Sequence, residues 1–104
     1  MLHNFRLGQN RPNPFTPVSV TTNRGERDTL IEYQLSYDGR VRMNIYNIAG
    51  SLVRTLVNAC QEAGLHRVKW NGLTNEGRAA PAGVYYYCLK SREFVATKKL
   101  ILLR

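Results

Sequence analysis

Any nucleophile assisted by an imidazole base in this 104-residue chain must use His3 or His66, the only histidines. His3 stands near the start of the sequence. His66 shares the alternation of Leu65-His66-Arg67-Val68-Lys69-Trp70 with Val68 and Trp70, the setting of a partly buried structural side chain. There is no Gly-x-Ser-x-Gly elbow and no glycine loop suited to cradling phosphate ahead of a helix. The 7 carboxylates are scattered, mostly in turns, so paired acid–base chemistry has no candidate. Cys60, Cys88 and the histidines do not form a zinc spacing, and Asp28, Asp38 and Glu76 are isolated loop acids without a calcium-loop pattern. The expectation is a non-catalytic module without metal or cofactor.

Binding chemistry has more to work with. Tyr85, Tyr86 and Tyr87 run consecutively, and strand alternation sends Tyr86 to the face opposite the other two. An outward tyrosine can stack on a sugar or a base, although covering neighbouring strand side chains is the commoner use. The 15 Lys and Arg against 7 Asp and Glu give a net charge of +8, which raises nucleic acid, anionic lipid and anionic polysaccharide as partners. These cations are spread along the whole chain and mostly alternate with apolar residues, the pattern of a solvated basic sheet face. Nucleic acid is accordingly not expected, and an anionic polysaccharide stays open. Cys60, in the polar run Asn58-Ala59-Cys60-Gln61-Glu62, and Cys88, beside Tyr87, allow one disulfide; its alternative is two unpaired thiols.

The elements that position these residues read as strands. Ile31, Tyr33 and Leu35 share one face of Leu30-Ile31-Glu32-Tyr33-Gln34-Leu35, and Val41, Met43 and Ile45 share one face of the next stretch. Asp38-Gly39 between them suits a tight hairpin. Leu52-Val53-Arg54-Thr55-Leu56-Val57 has an apolar spacing as helical as it is extended, and its β-branched residues and shortness favour a strand. Residues 65–70, 84–89 and 94–103 complete the set, punctuated by turn glycines. Strands this short and this regularly interrupted predict an all-β, antiparallel immunoglobulin-like or fibronectin-III-like sandwich of about seven strands. Ile31, Tyr33, Leu35, Val41, Met43, Ile45, Val68, Trp70, Tyr85 and Tyr87 should form its core.

Residues 1–104 make one module, with residues 30–104 as the main sandwich. Residues 1–29 read differently: Asn10-Arg11-Pro12-Asn13-Pro14-Phe15-Thr16-Pro17 holds three of the 4 prolines and should be an extended, stiff leading segment. Phe5, Leu7 and Phe15 are its expected contacts on a sandwich edge. Residues 18–22 suit a short edge strand, and 23–28 a polar loop. No apolar run reaches the roughly 18 residues of a membrane span, and the opening Met1-Leu2-His3-Asn4-Phe5-Arg6 has no hydrophobic signal core.

In order, several of these pieces carry a resemblance. Leu7-Gly8-Gln9-Asn10-Arg11-Pro12-Asn13-Pro14-Phe15 is similar to the Leu-x-Gln-Asn-Tyr-Pro-Asn-Pro-Phe opening of type A C-terminal sorting domains of the type IX secretion (Por) system. Val41-Arg42-Met43-Asn44-Ile45-Tyr46-Asn47-Ile48-Ala49-Gly50, Val68-Lys69-Trp70-Asn71-Gly72, Gly83-Val84-Tyr85-Tyr86-Tyr87 and Thr97-Lys98-Lys99-Leu100-Ile101-Leu102-Leu103-Arg104 follow in that family's order. Pro12, Asn13, Pro14, Gly50, Trp70, Gly72, Gly83 and Tyr85 are the matching motif positions. The family in turn resembles the immunoglobulin-like domain of flagellar hook-capping proteins. The chain departs from it at Arg11, which stands in place of an aromatic, at Asn47 and Asn71 in place of aspartates, in an insertion near 18–28, and in its two cysteines.

The resemblance implies a sorting module at the end of a larger exported protein, whose N-terminal cargo domain it directs through the periplasm to the cell surface. Its last strand, Lys98, Lys99, Leu100, Ile101, Leu102 and Leu103, would be read by outer-membrane secretion machinery, with transfer of the cargo to an anionic lipopolysaccharide. Leu100 to Leu103 are apolar at every position, so both faces of that strand need cover, from the Phe5–Leu7 segment or from a partner. Two other classes stay open: a structural or assembly scaffold subunit that self-associates, and a polysaccharide-binding accessory module.

Overall fold

The computed structural model describes residues 4–17 and 28–104; the edge strand expected at 18–22 and most of the loop at 23–28 lie outside these. Seven strands form among the described residues: β1 (Arg6–Leu7), β2 (Thr29–Leu35), β3 (Gly39–Asn47), β4 (Leu52–Gln61), β5 (Gly64–Trp70), β6 (Gly83–Ser91) and β7 (Phe94–Leu102). They build two antiparallel sheets, ordered β1-β2-β5 and β4-β3-β6-β7. Alternation explains why the sheets stack. Ile31, Tyr33 and Leu35 of one sheet and Val41, Met43, Ile45, Tyr87 and Leu89 of the other are buried, with intervening residues turned outward. Each such side chain contributes about 1.5–3 kcal/mol when it leaves water. Val68 packs against this core from its rim, only partly buried.

Trp70 sits at the centre of one end, fully buried, with its indole N–H donated to Leu73 O at 2.9 Å. Phe15 and Tyr85 flank it, each with ring centroids 5.6 Å away. Phe15 and Leu7 are therefore core residues, while Phe5 stacks on Phe94 at 4.9 Å.

The expected hairpin between residues 30–35 and 40–45 does not form. β2 pairs with β1 and β5, and β3 with β4 and β6, so the link through Asp38 and Gly39 crosses from one sheet to the other. Asp38 is held from both sides of this crossing: its Oδ1 accepts from Ala63 N at 2.8 Å, and its carbonyl accepts from the Arg92 guanidinium, which stacks on Tyr37. Alternation fixes which face of each strand is apolar. It does not say whether two such faces lie side by side or opposite each other, and here they are opposite.

β4 explains its own ambiguous spacing. The register shifts between Met43 and Asn44, and again between Ile45 and Tyr46, leaving Leu56 and Val53 as extra residues on β4. These two bulges break the period of two and let Val53, Leu56 and Val57 all pack on the core. The strand also runs on through Asn58-Ala59-Cys60-Gln61, read from sequence as a polar link. In the four-stranded sheet β4 is an outermost strand paired to β3, a place where polar side chains facing water are tolerated.

Candidate recognition site

The leading segment is built into the sandwich. From Arg11, which exchanges two backbone hydrogen bonds with Leu30, it passes through cis peptide bonds at Arg11–Pro12 and Asn13–Pro14 and reaches the outer edge of β7. There it satisfies the strand's open backbone groups one after another. Gln9 Nε2 donates to Lys99 O at 2.8 Å, Asn13 Oδ1 accepts from Ile101 N at 2.9 Å, Phe15 N donates to Ile101 O at 2.9 Å, and Leu103 N donates to Phe15 O at 2.9 Å. Pro12 and Pro14 bring no N–H donors to this seam and confine φ, which keeps the segment extended. Arg11, at the position where the resembling family has an aromatic, pairs with Glu32 at 3.0 Å; Arg67 holds the other carboxylate oxygen at 2.7 Å. The Arg67 hydrogen bond keeps the Glu32 carboxyl below the usual carboxylate range.

Beneath the seam lies a buried polar knot. The Tyr87 hydroxyl accepts from Asn10 N and donates to Gly8 O, both at 2.8 Å. Asn10, 1% exposed, donates its side-chain amide to Thr29 Oγ1 at 2.9 Å and to Pro12 O at 3.2 Å. Every buried polar atom here has a partner, as burial requires. Burial pushes the Tyr87 phenol up to about 12, with the Asn10 backbone N–H acting in the opposite direction. Gln9 and Asn10 belong to the quoted opening motif, but their roles depend on partners remote in sequence.

The last strand divides between its faces. Leu100 and Leu102 are fully buried, so they hold the sandwich together and cannot be touched by a partner while it is folded. Lys99 and Leu103 face outward, Ile101 is half-buried on the same side, and Lys98 stands on the inward-facing side at its rim. The two lysines therefore do not make one patch. The Phe5–Leu7 segment does not cover the outward side either, since Leu7 joins the core and Leu103 stays 47% exposed. Beyond β7, Arg104 donates to Ala80 O and Gly72 O, tying the strand's end to the loop after β5. Gly72 is required there: its φ is +83°, and a Cβ would stand 2.8 Å from Pro17 Cγ.

Of the other motif positions, Gly50 closes the turn after β3 at φ +83°, where Asn47 Oδ1 accepts from Ala49 N and Ser51 N at 3.0 Å. Gly83 opens β6 opposite Leu102, and Tyr85 packs on Trp70 while donating to Pro81 O. Burial raises the Tyr85 phenol.

The disulfide is excluded. Cys60 and Cys88 are free thiols, and the sheet register gives the reason. Cys60 pairs with Arg40 on one side of β3, and Cys88 pairs with Asn44 on the other. Two strand spacings across and four residues along put their Cα atoms about 16 Å apart, far beyond the roughly 7 Å a bridge tolerates.

What the assembled residues can do is bind. Among the described residues no group of three or more His, Cys, Asp or Glu could hold a metal ion. His66 contacts Glu62 O at 2.7 Å and stacks on the Tyr33 ring, a structural role.

A family model described as the FlgD Ig-like domain matches residues 18–93. No curated protein matches the chain. Among solved structures, FlgD from P. aeruginosa is similar at a TM-score of 0.58 and 20% identity, over 88% of this chain and 68% of that one. PorZ, described as an essential bacterial surface component of the type IX secretion system of Porphyromonas gingivalis, is similar at a TM-score of 0.56 and 18% identity, over 96% of this chain and 11% of that one. At these identities the two likenesses are of fold. The family match, which spans well over half of the sequence and covers β2 to β6, is of ancestry as well, and the chain belongs to the FlgD Ig-like domain family.

Proposed function

We propose that this chain is a non-catalytic sorting module, joined to an N-terminal cargo domain and directing that cargo through the periplasm to the cell surface. The observation that carries the reading is the seam between the leading segment and β7. It presents Lys99, Ile101 and Leu103 on a strand whose backbone edge along residues 99–103 is already occupied by Gln9, Asn13 and Phe15. Outer-membrane secretion machinery would read side chains on this strand; adding a strand there requires the leading segment to be displaced first. The motif order of the sequence supports the reading, as does the shared fold of PorZ, a type IX component by its description. Attachment to an anionic lipopolysaccharide belongs to the same proposal.

The test is a reporter fusion in a type IX secreting host carrying Lys99→Glu with Leu103→Ser, both outward-facing changes. Lost export with an unchanged melt supports recognition by this strand. Export at the normal level refutes it. Lys98→Glu, on the other face, serves as the comparison, whereas changes at Leu100 or Leu102 would unfold the module and test nothing about recognition.

A second reading, an assembly scaffold subunit, is favoured by the family and by Ile48 and Leu52, 77% and 50% exposed beside a groove of about 430 Å³ lined also by Val53, Pro81 and Val84. Sedimentation at micromolar concentration distinguishes it: reversible self-association lost in Ile48→Ser supports the scaffold, and a monomer throughout removes it.

A further inference from the structure

The outward face of the four-stranded sheet carries cations, and the four strands bring no carboxylate to it, since β3, β4, β6 and β7 contain neither Asp nor Glu. Its residues fall into rows set by the register. Arg42 and Lys90 are direct cross-strand neighbours, both exposed, with exposed Arg40 next along β3. Four residues further along β3, Tyr46 pairs with Tyr86, and Tyr86 pairs with Lys99. Between these rows lie the neutral side chains of Asn44, Thr55, Cys88 and Thr97. Asn44 donates its amide to the Tyr46 hydroxyl at 3.1 Å, and its Oδ1 is covered and has no hydrogen-bond partner. That amide loses nothing at its oxygen by turning toward a donor above the face.

From this arrangement we infer that the outer face of the β4-β3-β6-β7 sheet binds an acidic polysaccharide whose charged sugars alternate with neutral ones. The inference stands independently of the sorting role. Charge complementarity selects an anion, because no carboxylate on the four strands repels one. Spacing selects the kind of polymer. Four residues of strand separate the Arg42–Lys90 row from Lys99 by about 13 Å. Nucleic acid carries a charge on every nucleotide, about every 3.4 Å along each strand of a duplex, and even an extended single strand would place a phosphate over the neutral row, where nothing compensates it. An acidic peptide lying on the face gains no backbone hydrogen bonds, because those of a sheet run in its plane, and the neutral row offers no apolar stripe for a helix. Sugars fit each part. Acidic groups meet Arg42 with Lys90 at one end and Lys99 at the other. A pyranose face lies against Tyr86, 40% exposed, and hydroxyls bond to Asn44 and Thr97.

The experiment titrates the full chain with hyaluronate oligosaccharides, which carry one carboxylate per disaccharide, and in parallel with dextran, poly-dT and polyglutamate. Binding to hyaluronate that weakens from low to physiological salt, without binding to dextran, is expected. Arg42→Glu with Lys90→Glu should weaken it by about tenfold, and Tyr86→Ala by about fivefold, with melts unchanged. The control Lys69→Glu with Arg78→Glu changes charge equally at exposed positions outside this face and should leave affinity within about twofold. No hyaluronate binding, tighter binding of poly-dT or polyglutamate, or an equal loss in the control would each overturn the inference, the last because diffuse net charge then accounts for the binding.

Discussion

Replacing Phe15 by alanine asks whether the leading segment is part of the folded unit or only lies along it. Phe15 is 1% exposed, its ring packs 5.6 Å from that of Trp70, and its backbone exchanges hydrogen bonds with Ile101 and Leu103. Truncating a buried phenylalanine costs about 3–5 kcal/mol, lost transfer energy plus the cavity left behind. Total stability for a domain of this size is about 5–15 kcal/mol, so the loss is a large fraction of the whole. With a urea slope of about 1.5 kcal/mol/M, the denaturation midpoint should fall by about 2–3 M. Native-state hydrogen exchange gives the location. The Ile101 and Leu103 amides, bonded to Asn13 Oδ1 and Phe15 O, should lose protection before the amides shared by β3 and β6. A loss under about 1 kcal/mol, with Ile101 and Leu103 still protected, would refute the reasoning, because a ring so enclosed cannot be removed that cheaply.

Three further expectations follow from the same geometry. The Tyr87 phenol is held protonated in the fold, pushed up to about 12 from 10 when unfolded, so its contribution is fully present below pH 10 and is lost as pH rises through about 12. Two pH units at 1.36 kcal/mol each make this about 3 kcal/mol, and Tyr87→Phe should flatten that alkaline fall in urea titrations while losing about 1–3 kcal/mol at neutral pH by stranding Asn10 N–H. Gly72→Ala should cost about 1–3 kcal/mol from backbone strain, plus whatever the Pro17 clash adds, and Gly77→Ala, at φ +82° with nothing within 4 Å, should show the backbone part alone in thermal melts. Non-reducing mass spectrometry after alkylation should find both thiols modified, the exposed Cys60 reacting before the partly covered Cys88; a Cys60–Cys88 linked peptide would contradict the register.

The strands were legible because each has a buried face with a period of two, and that is a local property. Ile31, Tyr33 and Leu35, or Tyr85 and Tyr87 around Tyr86, needed only their own neighbours to be placed. Pairing was not legible at Asp38-Gly39, because the same dipeptide that can close a hairpin also serves a crossing between sheets when Ala63 and Arg92 bind Asp38. The far end of β4, Asn58 to Gln61, reads as a loop for a related reason, since an outermost strand carries polar residues. At the candidate site, the motif order pointed to Pro12, Asn13 and the last strand, but not to their union. Asn13 and Ile101 are 88 positions apart, and no periodicity spans that distance. The outward basic face is visible only once the register sets Arg42 beside Lys90 and Tyr46 beside Tyr86.

The seam between the leading segment and β7 also sets an order of events during synthesis. Within the module, Asn13 and Phe15 leave the ribosome well before the strand they bond to, and Ile101, the partner of Asn13, comes 88 positions later. At roughly 5–20 residues per second this leaves roughly 4–18 s in which those groups have no native partner. Until residues 99–104 are made, Phe15, which packs on Trp70, lacks the strand its backbone bonds to, and the loop after β5 lacks the Arg104 tie. Truncated chains that stop short of β7 are thus marked by exposed aromatic surface at Phe15 and Trp70. The nascent module is open to chaperones until β7 arrives to bury that surface.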